Sequence, residues 1–311
     1  MTLQQLKYIL TIAETGSMNK ASEQLYVSQP NLTSAVKELE NELGFSVFHR
    51  SGRGVTLTAD GVEFAAYARQ VLMQMEALND RFLSGTSRRK HFAVSTQHYS
   101  FAVQAFARTV QEYDPANYDF AIRETKTQTV IDDVALLRSE IGILYLSDFN
   151  RSIMTKMFKA KGVEFHPLAH CRAYVYLSTA HPLAKEKGIT LAQLQDYPCL
   201  SFEQGEHDSF YFAEEILTTR EYPRTIHTTD RATNLNLLVA LNAYTLCSGV
   251  ICEELNGPDF VAVPYLDDSE NPNSVMEIGY LTKKGMKVSG MGQRYIEEIT
   301  RYLNEYTRRL E

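Results

Sequence analysis

The sequence predicts an α/β protein in two parts: an N-terminal winged helix-turn-helix with a linker helix, then a two-lobed α/β domain. Three observations point there. Residues 1–58 hold three short amphipathic segments, each opened by a hydroxyl cap, directly before a glycine-rich basic hairpin. An apolar stripe then repeats at alternating four and three residues as far as Phe82. From Phe92 onward, apolar strand-like runs alternate with helical patterns, the order of parallel sheets with helical crossovers.

The first helix starts at Thr2, which forms a T-x-x-Q capping box with Gln5, and Leu3, Leu6, Leu10 and Ala13 recur at helical spacing. Gly16 ends it. Ser17 caps a second helix carrying Ala21 and Leu25. After a turn through Tyr26 and Val27, Ser28 caps a third helix that tolerates Pro30 in its first turn and buries Leu32, Val36, Leu39 and Leu43. Its other face shows Gln29, Asn31, Thr33, Ser34 and Lys37, short hydrogen-bonding groups that a helix entering a major groove N-terminus first presents to base edges.

Between Phe45 and Thr58, His49, Arg50 and Arg53 surround Gly52 and Gly54, while Val55 and Leu57 alternate with Thr56. That reads as a β-hairpin with a glycine turn. Arginines on a narrow hairpin suit phosphates or a minor groove, though either also suits a solvated turn. The expected contact set for double-stranded DNA is Ser28, Gln29, Pro30, Asn31, Thr33, Ser34, Lys37, Arg50 and Arg53.

The run Ala21-Ser22-Glu23-Gln24-Leu25-Tyr26-Val27-Ser28-Gln29-Pro30-Asn31-Leu32-Thr33 resembles the core of the LysR-type transcriptional regulators. So do Leu39-Glu40-Asn41-Glu42-Leu43-Gly44, Val47-Phe48-His49-Arg50 and Leu57-Thr58-Ala59-Asp60-Gly61. The match is dense over about the first 65 residues and thins beyond to pieces such as His181-Pro182-Leu183-Ala184. The resemblance implies pairing through the linker helix, assembly up to tetramers, and a periplasmic-binding-protein-like effector domain. Two positions depart from the family pattern: Glu124-Thr125 stands where Glu-Gly is common, and Ser139-Glu140-Ile141-Gly142 where an Asp is common.

A chain of 311 residues with 44% hydrophobic content has material for two cores. It contains no run of about 18 apolar residues and no charged segment leading into an apolar one, so a cytoplasmic protein with no membrane partner is expected. The net charge of −7 is unevenly spread: residues 1–58 balance five basic against five acidic groups, whereas 91–311 carry 21 against 29. DNA affinity must then come from a few placed cations and helix dipoles used in more than one copy.

Phe64, Ala68, Val71, Met75, Leu78 and Phe82 form the spacing of a coiled-coil seam on a helix of about 25 residues, roughly 37 Å long. A homodimer helix is favoured over a helix packed on its own domain, because two-fold DNA sites need two reading helices. Ser84 to Lys90 has the composition of a hinge, with Arg88, Arg89 and Lys90 as solvated charges or an extra DNA clamp. The expected domains are 1–58 for DNA binding, 59–87 for linker and hinge, and 88–311 for effector binding. Within the last, lobe I covers about 88–161 and 266–311, and lobe II about 162–265.

Ligands of open α/β sheets sit at the carboxyl ends of strands. Those ends supply Thr96, Gln97, His98, Thr125, Ser201, Phe202, Thr228 and Ser248, mostly neutral donors, which suit a small polar metabolite such as a carboxylate or amino acid. Singly, each Ser or Thr is as well explained as a cap of the next helix, and only their convergence marks a site.

Catalysis finds little support. His166 and His170 are separated by Pro167 in a strand-like stretch, and Cys171, Cys199, Cys247 and Cys252 lack C-x-x-C spacing. No Gly-x-Ser-x-Gly and no phosphate-cradling loop occurs. The expectation is a non-enzymatic regulator without metal or cofactor, with RNA polymerase as a candidate partner. The alternatives are redox sensing through the cysteines, as in one branch of the family, or a C-terminal domain that serves only for assembly.

Overall fold

In the computed structural model the chain is described over residues 1–51, 54–82, 90–112, 118–205, 210–217, 222–266 and 275–310, with backbone alone at 73, 76, 77, 80–82 and 307–310. It divides into two compact units, Met1–Arg88 and Arg89–Glu311.

The first unit holds α1 (Leu3–Thr15), α2 (Met18–Gln24), α3 (Gln29–Leu43), β1 (Phe48–Ser51), β2 (Gly54–Leu57) and α4 (Ala59–Phe82). The capping box forms: Gln5 N donates to Thr2 Oγ1 at 3.2 Å, and Thr2 N donates to Gln5 Oε1 at 2.9 Å. Ser17 and Ser28 cap α2 and α3 through the amides of Lys20 and Asn31. Such a cap contributes about 1 kcal/mol, enough to fix where a helix of 7 residues begins. Ile9, Ile12, Ala21, Leu32, Val36 and Leu39 close a core against Val47 and Phe48.

The expected hairpin from Phe45 to Thr58 reduces to two four-residue strands in register Phe48↔Leu57 to Ser51↔Gly54. Ahead of it the chain turns around Glu40, whose Oε1 accepts the amides of Val47 at 2.8 Å and Phe48 at 3.2 Å. Thr58 then starts α4, its Oγ1 accepting from Gly61 N at 2.9 Å and donating to Ser46 O at 2.7 Å. A Cβ at Gly61 would lie 2.0 Å from Val47 O, so only glycine lets α4 approach the turn this closely.

The stripe on α4 divides. Ala65 and Ala68 are buried against Leu6 and Leu10, and Phe64 packs with them, so this part of the expected seam covers the helix's own domain. Val71, Met75 and Leu78 are exposed, and Tyr67 joins them at helical spacing. The side chain of Phe82, Arg53 and residues 84–89 of the expected hinge lie outside the described residues, and Lys90, expected at the end of that hinge, opens a strand of the second unit instead.

The second unit begins with β3 (Lys90–Thr96), α5 (Ser100–Gln111), β4 (Tyr118–Glu124), α6 (Thr127–Ala135), β5 (Ile141–Leu146), α7 (Arg151–Lys161) and β6 (Val163–Arg172). It continues with β7 (Tyr174–Ser178), α8 (Leu191–Leu194), β8 (Cys199–Phe202), β9 (Thr225–Thr228), α9 (Arg231–Ala240), β10 (Tyr244–Cys247), α10 (Glu253–Asn256) and β11 (Phe260–Pro264). The chain returns through β12 (Val275–Lys283) and ends in α11 (Gly290–Leu310). Two five-stranded sheets result, β4-β3-β5-β12-β6 and β11-β7-β10-β8-β9. β3, β4 and β5 are parallel, with helices supplying the crossovers, whereas β12 runs antiparallel between β5 and β6.

One boundary differs from expectation. The strand after Gly162 belongs to the first sheet, where β6 pairs with β12 from Val163↔Lys283 to Arg172↔Val275. The passage into the second lobe therefore falls at Ala173, not near 162. Pro167 sits within β6 at the register irregularity between Ile278 and Gly279, where an edge strand tolerates a missing donor. At the passage, Tyr265 N donates to Ala173 O at 3.1 Å, tying the outgoing and returning segments together.

Candidate functional site

The first candidate surface is α3. Leu32, Val36 and Leu39 point into the core, and this places Ser28, Gln29, Pro30, Asn31, Ser34 and Lys37 in solvent with Thr33 half-buried. Gln29 Nε2 donates to Thr33 Oγ1 at 3.1 Å, and Ser34 Oγ donates to Glu38 Oε1 at 3.4 Å, so the polar groups are pre-aligned along one side of the helix. Arg50 is exposed on β1, its Nη2 4.0 Å from Glu40 Oε2. Glu40 thus shapes the entry to the hairpin and faces one of its arginines. Tyr26, with φ 55 in the turn before Ser28, is almost fully exposed.

The second candidate is the cleft between the lobes of the second unit. Four ion pairs among the described residues join the lobes: Arg108 Nη2 to Glu254 Oε1 at 3.2 Å, His98 Nδ1 to Glu214 Oε2 at 2.8 Å, Lys126 Nζ to Glu203 Oε1 at 3.2 Å, and Arg231 Nε to Glu124 Oε1 at 3.0 Å. In the last, Nε and Oε1 are close without hydrogen-bond alignment, and Nη2 donates to Glu124 Oε2 at 3.4 Å. Thr127 N donates to Gln204 Oε1 at 3.0 Å, Thr127 Oγ1 donates to Phe212 O at 2.7 Å, and Tyr145 OH donates to Glu215 O at 2.9 Å. The lobes are therefore joined along the strand ends of the first sheet.

Beside these contacts lies a cavity of about 90 Å³. His98, Phe202 and Ser248, of the expected ligand residues, line it. Tyr99, Tyr176, Leu246, Ile251 and Met276 make most of its wall apolar, and Glu214, Glu215 and Arg231 bring ionisable groups to it.

The other expected ligand residues serve the scaffold or lie off the cavity. Gln97 is buried, with Nε2 donating to Thr127 Oγ1 at 2.5 Å and Oε1 accepting from Tyr99 OH at 2.8 Å and Tyr145 N at 3.2 Å. Thr125 N donates to Thr96 O at 2.9 Å, joining the ends of β3 and β4, and Thr96 Oγ1 is buried without a hydrogen-bond partner. Ser201 is half-buried and its Oγ lies 2.9 Å from His227 Nδ1, and Thr228 Oγ1 accepts from Asn234 Nδ2 at 3.2 Å. The strand-end rule names an edge of the sheets, but it does not say which of two neighbouring side chains faces the gap.

Glu214, Glu215 and Arg231 were not anticipated. Two adjacent acids inside the apolar run Phe210-Tyr211-Phe212-Ala213-Glu214-Glu215-Ile216 were the available signal, because a buried carboxyl needs a partner or a proton. For His98, burial alone lowers the pKa, but the hydrogen bond and charge of Glu214 outweigh it and hold the imidazole above 6.5. Burial, with the neighbouring Glu214 charge, pushes the Glu215 carboxyl up to about 8.

Burial also pushes the thiols of Cys171, Cys199 and Cys247 up, to about 11, 12 and 12. No group of three or more His, Cys, Asp or Glu among the described residues is arranged to hold a metal. No described helix is long and apolar enough to cross a membrane.

An exposed polar helix beside a β-hairpin, followed by a two-lobed α/β unit with a cleft between its lobes, defines the class of winged helix-turn-helix proteins with a C-terminal effector-binding domain. Residues 3–62 match the bacterial regulatory helix-turn-helix protein model of the lysR family, and residues 92–303 match the LysR substrate binding domain. The chain belongs to the LysR family. Over 116 residues it is 37% identical to the HTH-type transcriptional regulator TfdT of Cupriavidus pinatubonensis, a stretch covering 37% of this chain and 47% of that protein. The match thus spans about half of that relative's length.

Among solved structures, full-length OxyR from Pseudomonas aeruginosa superposes with a TM-score of 0.66 at 20% identity, covering 98% of this chain and 95% of that one. Full-length CbnR complexed with its target DNA gives 0.56 at 20% identity, covering 97% and 100%. At this identity the likeness is one of fold.

Proposed function

We propose that this chain is a sequence-specific transcriptional regulator that reads two-fold sites in double-stranded DNA as a homodimer, with a small-molecule effector bound between the lobes of residues 88–311. The observation that carries the proposal is the solvent-facing side of α3, where six polar or Pro positions stand exposed opposite three buried apolar ones. Such a face has no packing role and has the hydrogen-bonding chemistry of base readout. That CbnR, which shares the fold, was solved with target DNA supports the same reading.

Pairing through α4 follows from Tyr67, Val71, Met75 and Leu78, an apolar stripe that its own unit leaves uncovered. Assembly to a tetramer and contact with RNA polymerase extend this reading. Effector entry would change lobe closure through the ion pairs across the cleft and so bias the spacing of the reading heads. The chain acts without catalysis in this scheme. The raised pKa values of Cys171, Cys199 and Cys247 weigh against redox sensing through those thiols, since the thiolate is the reactive form, and the cavity weighs against a domain used for assembly alone.

The test is selection of genomic fragments by full-length protein at modest ionic strength. Enrichment of an inverted-repeat sequence, lost in a Gln29→Ala protein that folds normally, is expected. Retention of every fragment alike would overturn the assignment.

A further inference from the structure

Ionisable groups around the cavity can be paired off one by one. Glu214 is fully used: Oε2 accepts from both the backbone amide and the imidazole of His98 at 2.8 Å, and Oε1 accepts from Gln204 Nε2 at 2.8 Å. Arg231 faces Glu124 and donates from Nη1 to Asn256 Oδ1 at 3.0 Å. Glu215 remains. It is 6% exposed, its Oε1 accepts from Phe202 N at 2.6 Å, and its Oε2 is buried without a hydrogen-bond partner. Around it stand Glu214, the phenols of Tyr99 and Tyr145 and, more distantly, Cys199; the backbone amides of Glu214 and Glu215 also act on its carboxyl, and the hydroxyl of Tyr145 donates to its backbone carbonyl. No cation among the described residues is paired with it.

We propose that the cavity takes a small apolar primary amine, whose ammonium group occupies the open valence of Glu215 and whose hydrocarbon body lies against Tyr176, Leu246, Ile251 and Met276. This rests on the reading of the cleft as an effector site and narrows its ligand class. A carboxylate would bring a second negative charge beside that of Glu214 into a low-dielectric space. An ammonium supplies the missing counter-ion and a donor. Size sets the other limit: about 90 Å³ is smaller than the roughly 150 Å³ that accepts benzene, so a short aliphatic body fits better than a ring.

The empty site keeps Glu215 protonated near pH 7, because burial holds its carboxyl up to about 8. The ammonium stabilises the carboxylate, so binding expels the proton: an O–H bond of the carboxyl breaks, the proton goes to buffer, and an ion pair forms. Amine binding at pH 7 therefore releases close to one proton.

The experiment uses full-length protein with n-butylamine, 1-butanol and butyrate, three probes of nearly equal shape. Isothermal titration in buffers of differing ionisation enthalpy is expected to show n-butylamine binding with proton release, and butyrate at least tenfold weaker. Glu215→Gln, which keeps an acceptor for Phe202 N, is expected to lose proton release and weaken the amine at least tenfold while leaving 1-butanol unchanged. Butyrate binding as well as the amine, amine binding indifferent to Glu215→Gln, or no binding of any probe overturns the proposal. Thermal shift with a metabolite library separates the two levels: a carboxylate hit lost in Ser248→Ala leaves the effector reading standing without the amine, and a library with no hit removes both.

Discussion

The imidazole of His98 lies flat on the ring of Phe202, 4.0 Å between centroids and 7° from parallel, so that the turn after β3 in one lobe rests on the end of β8 in the other. The same imidazole holds Glu214 of the second lobe. One side chain thus provides both an apolar and an ionic contact across the cleft.

Removing that contact should loosen the cleft in a pH-dependent way. His98→Ala leaves Glu214 buried without its cation, a change that costs about 3 kcal/mol for a buried pair. Because the folded imidazole is held above 6.5, the charged pair contributes fully below the unfolded value and its contribution is lost as pH rises through the folded one. Urea melts of wild type and His98→Ala should differ most near pH 6 and converge toward pH 9. A gap that widens with pH would contradict the assignment.

The polar face of α3 should separate into two kinds of contact. Lys37→Ala is expected to weaken binding to all sequences alike and to lower the salt slope by about 1, as for a phosphate contact. Gln29→Ala is expected to cost about 1–3 kcal/mol on the preferred site and little on others. Both side chains are exposed, so melting temperatures should not move. Fluorescence anisotropy at several salt concentrations reads both quantities.

For the uncovered part of α4, Val71→Glu with Leu78→Glu should abolish pairing, because two carboxylates would face their copies in a buried seam. Sedimentation velocity is expected to show a monomer that retains its helix content and loses site-specific DNA binding. Phe64 and Ala68, which pack on their own unit, should instead destabilise that unit when replaced by Glu. Dimers that survive the double change would assign pairing elsewhere.

Buried thiols give a kinetic prediction. Cys171 and Cys199 are buried and pushed up to about 11 and 12, so reaction with a disulfide reagent at pH 7.5 should await unfolding. Peroxide treatment should leave DNA affinity unchanged. Rapid labelling of the native protein, or a peroxide effect removed by Cys→Ser, would revive a redox role.

Much of this molecule follows from local rules. Thr2, Ser17 and Ser28 start the first three helices, and the spacing of Leu32, Val36 and Leu39 settles which side of α3 is free, because one helical period separates buried from exposed. β4, β5, β8 and β9 begin and end where their apolar runs do. Pairing partners are a different matter. β6 reads as the opening of a new lobe, yet its register with β12, some 110 residues later, puts it in the first sheet. α7 was missed because Arg151–Lys161 alternates long cations with apolar groups and buries only Met154 and Phe158.

The cleft shows the same division. That strand ends gather at the cleft follows from chain direction, and His98, Phe202 and Ser248, which line the cavity, are named by that rule. Glu215 was not, because an acid's role depends on whether its partners come within a few ångströms, and those partners lie on other strands.

What the sequence determined by itself is whatever a period of two or 3.6, a cap or a charge count can encode: most helices and strands, the polar face of α3 and the order of the units. Tertiary structure alone decided which part of α4 is left uncovered, where the chain changes lobes, and which carboxyl is buried without a counter-ion. Those depend on contacts between residues far apart in the chain, whose energies exist only once the elements have packed.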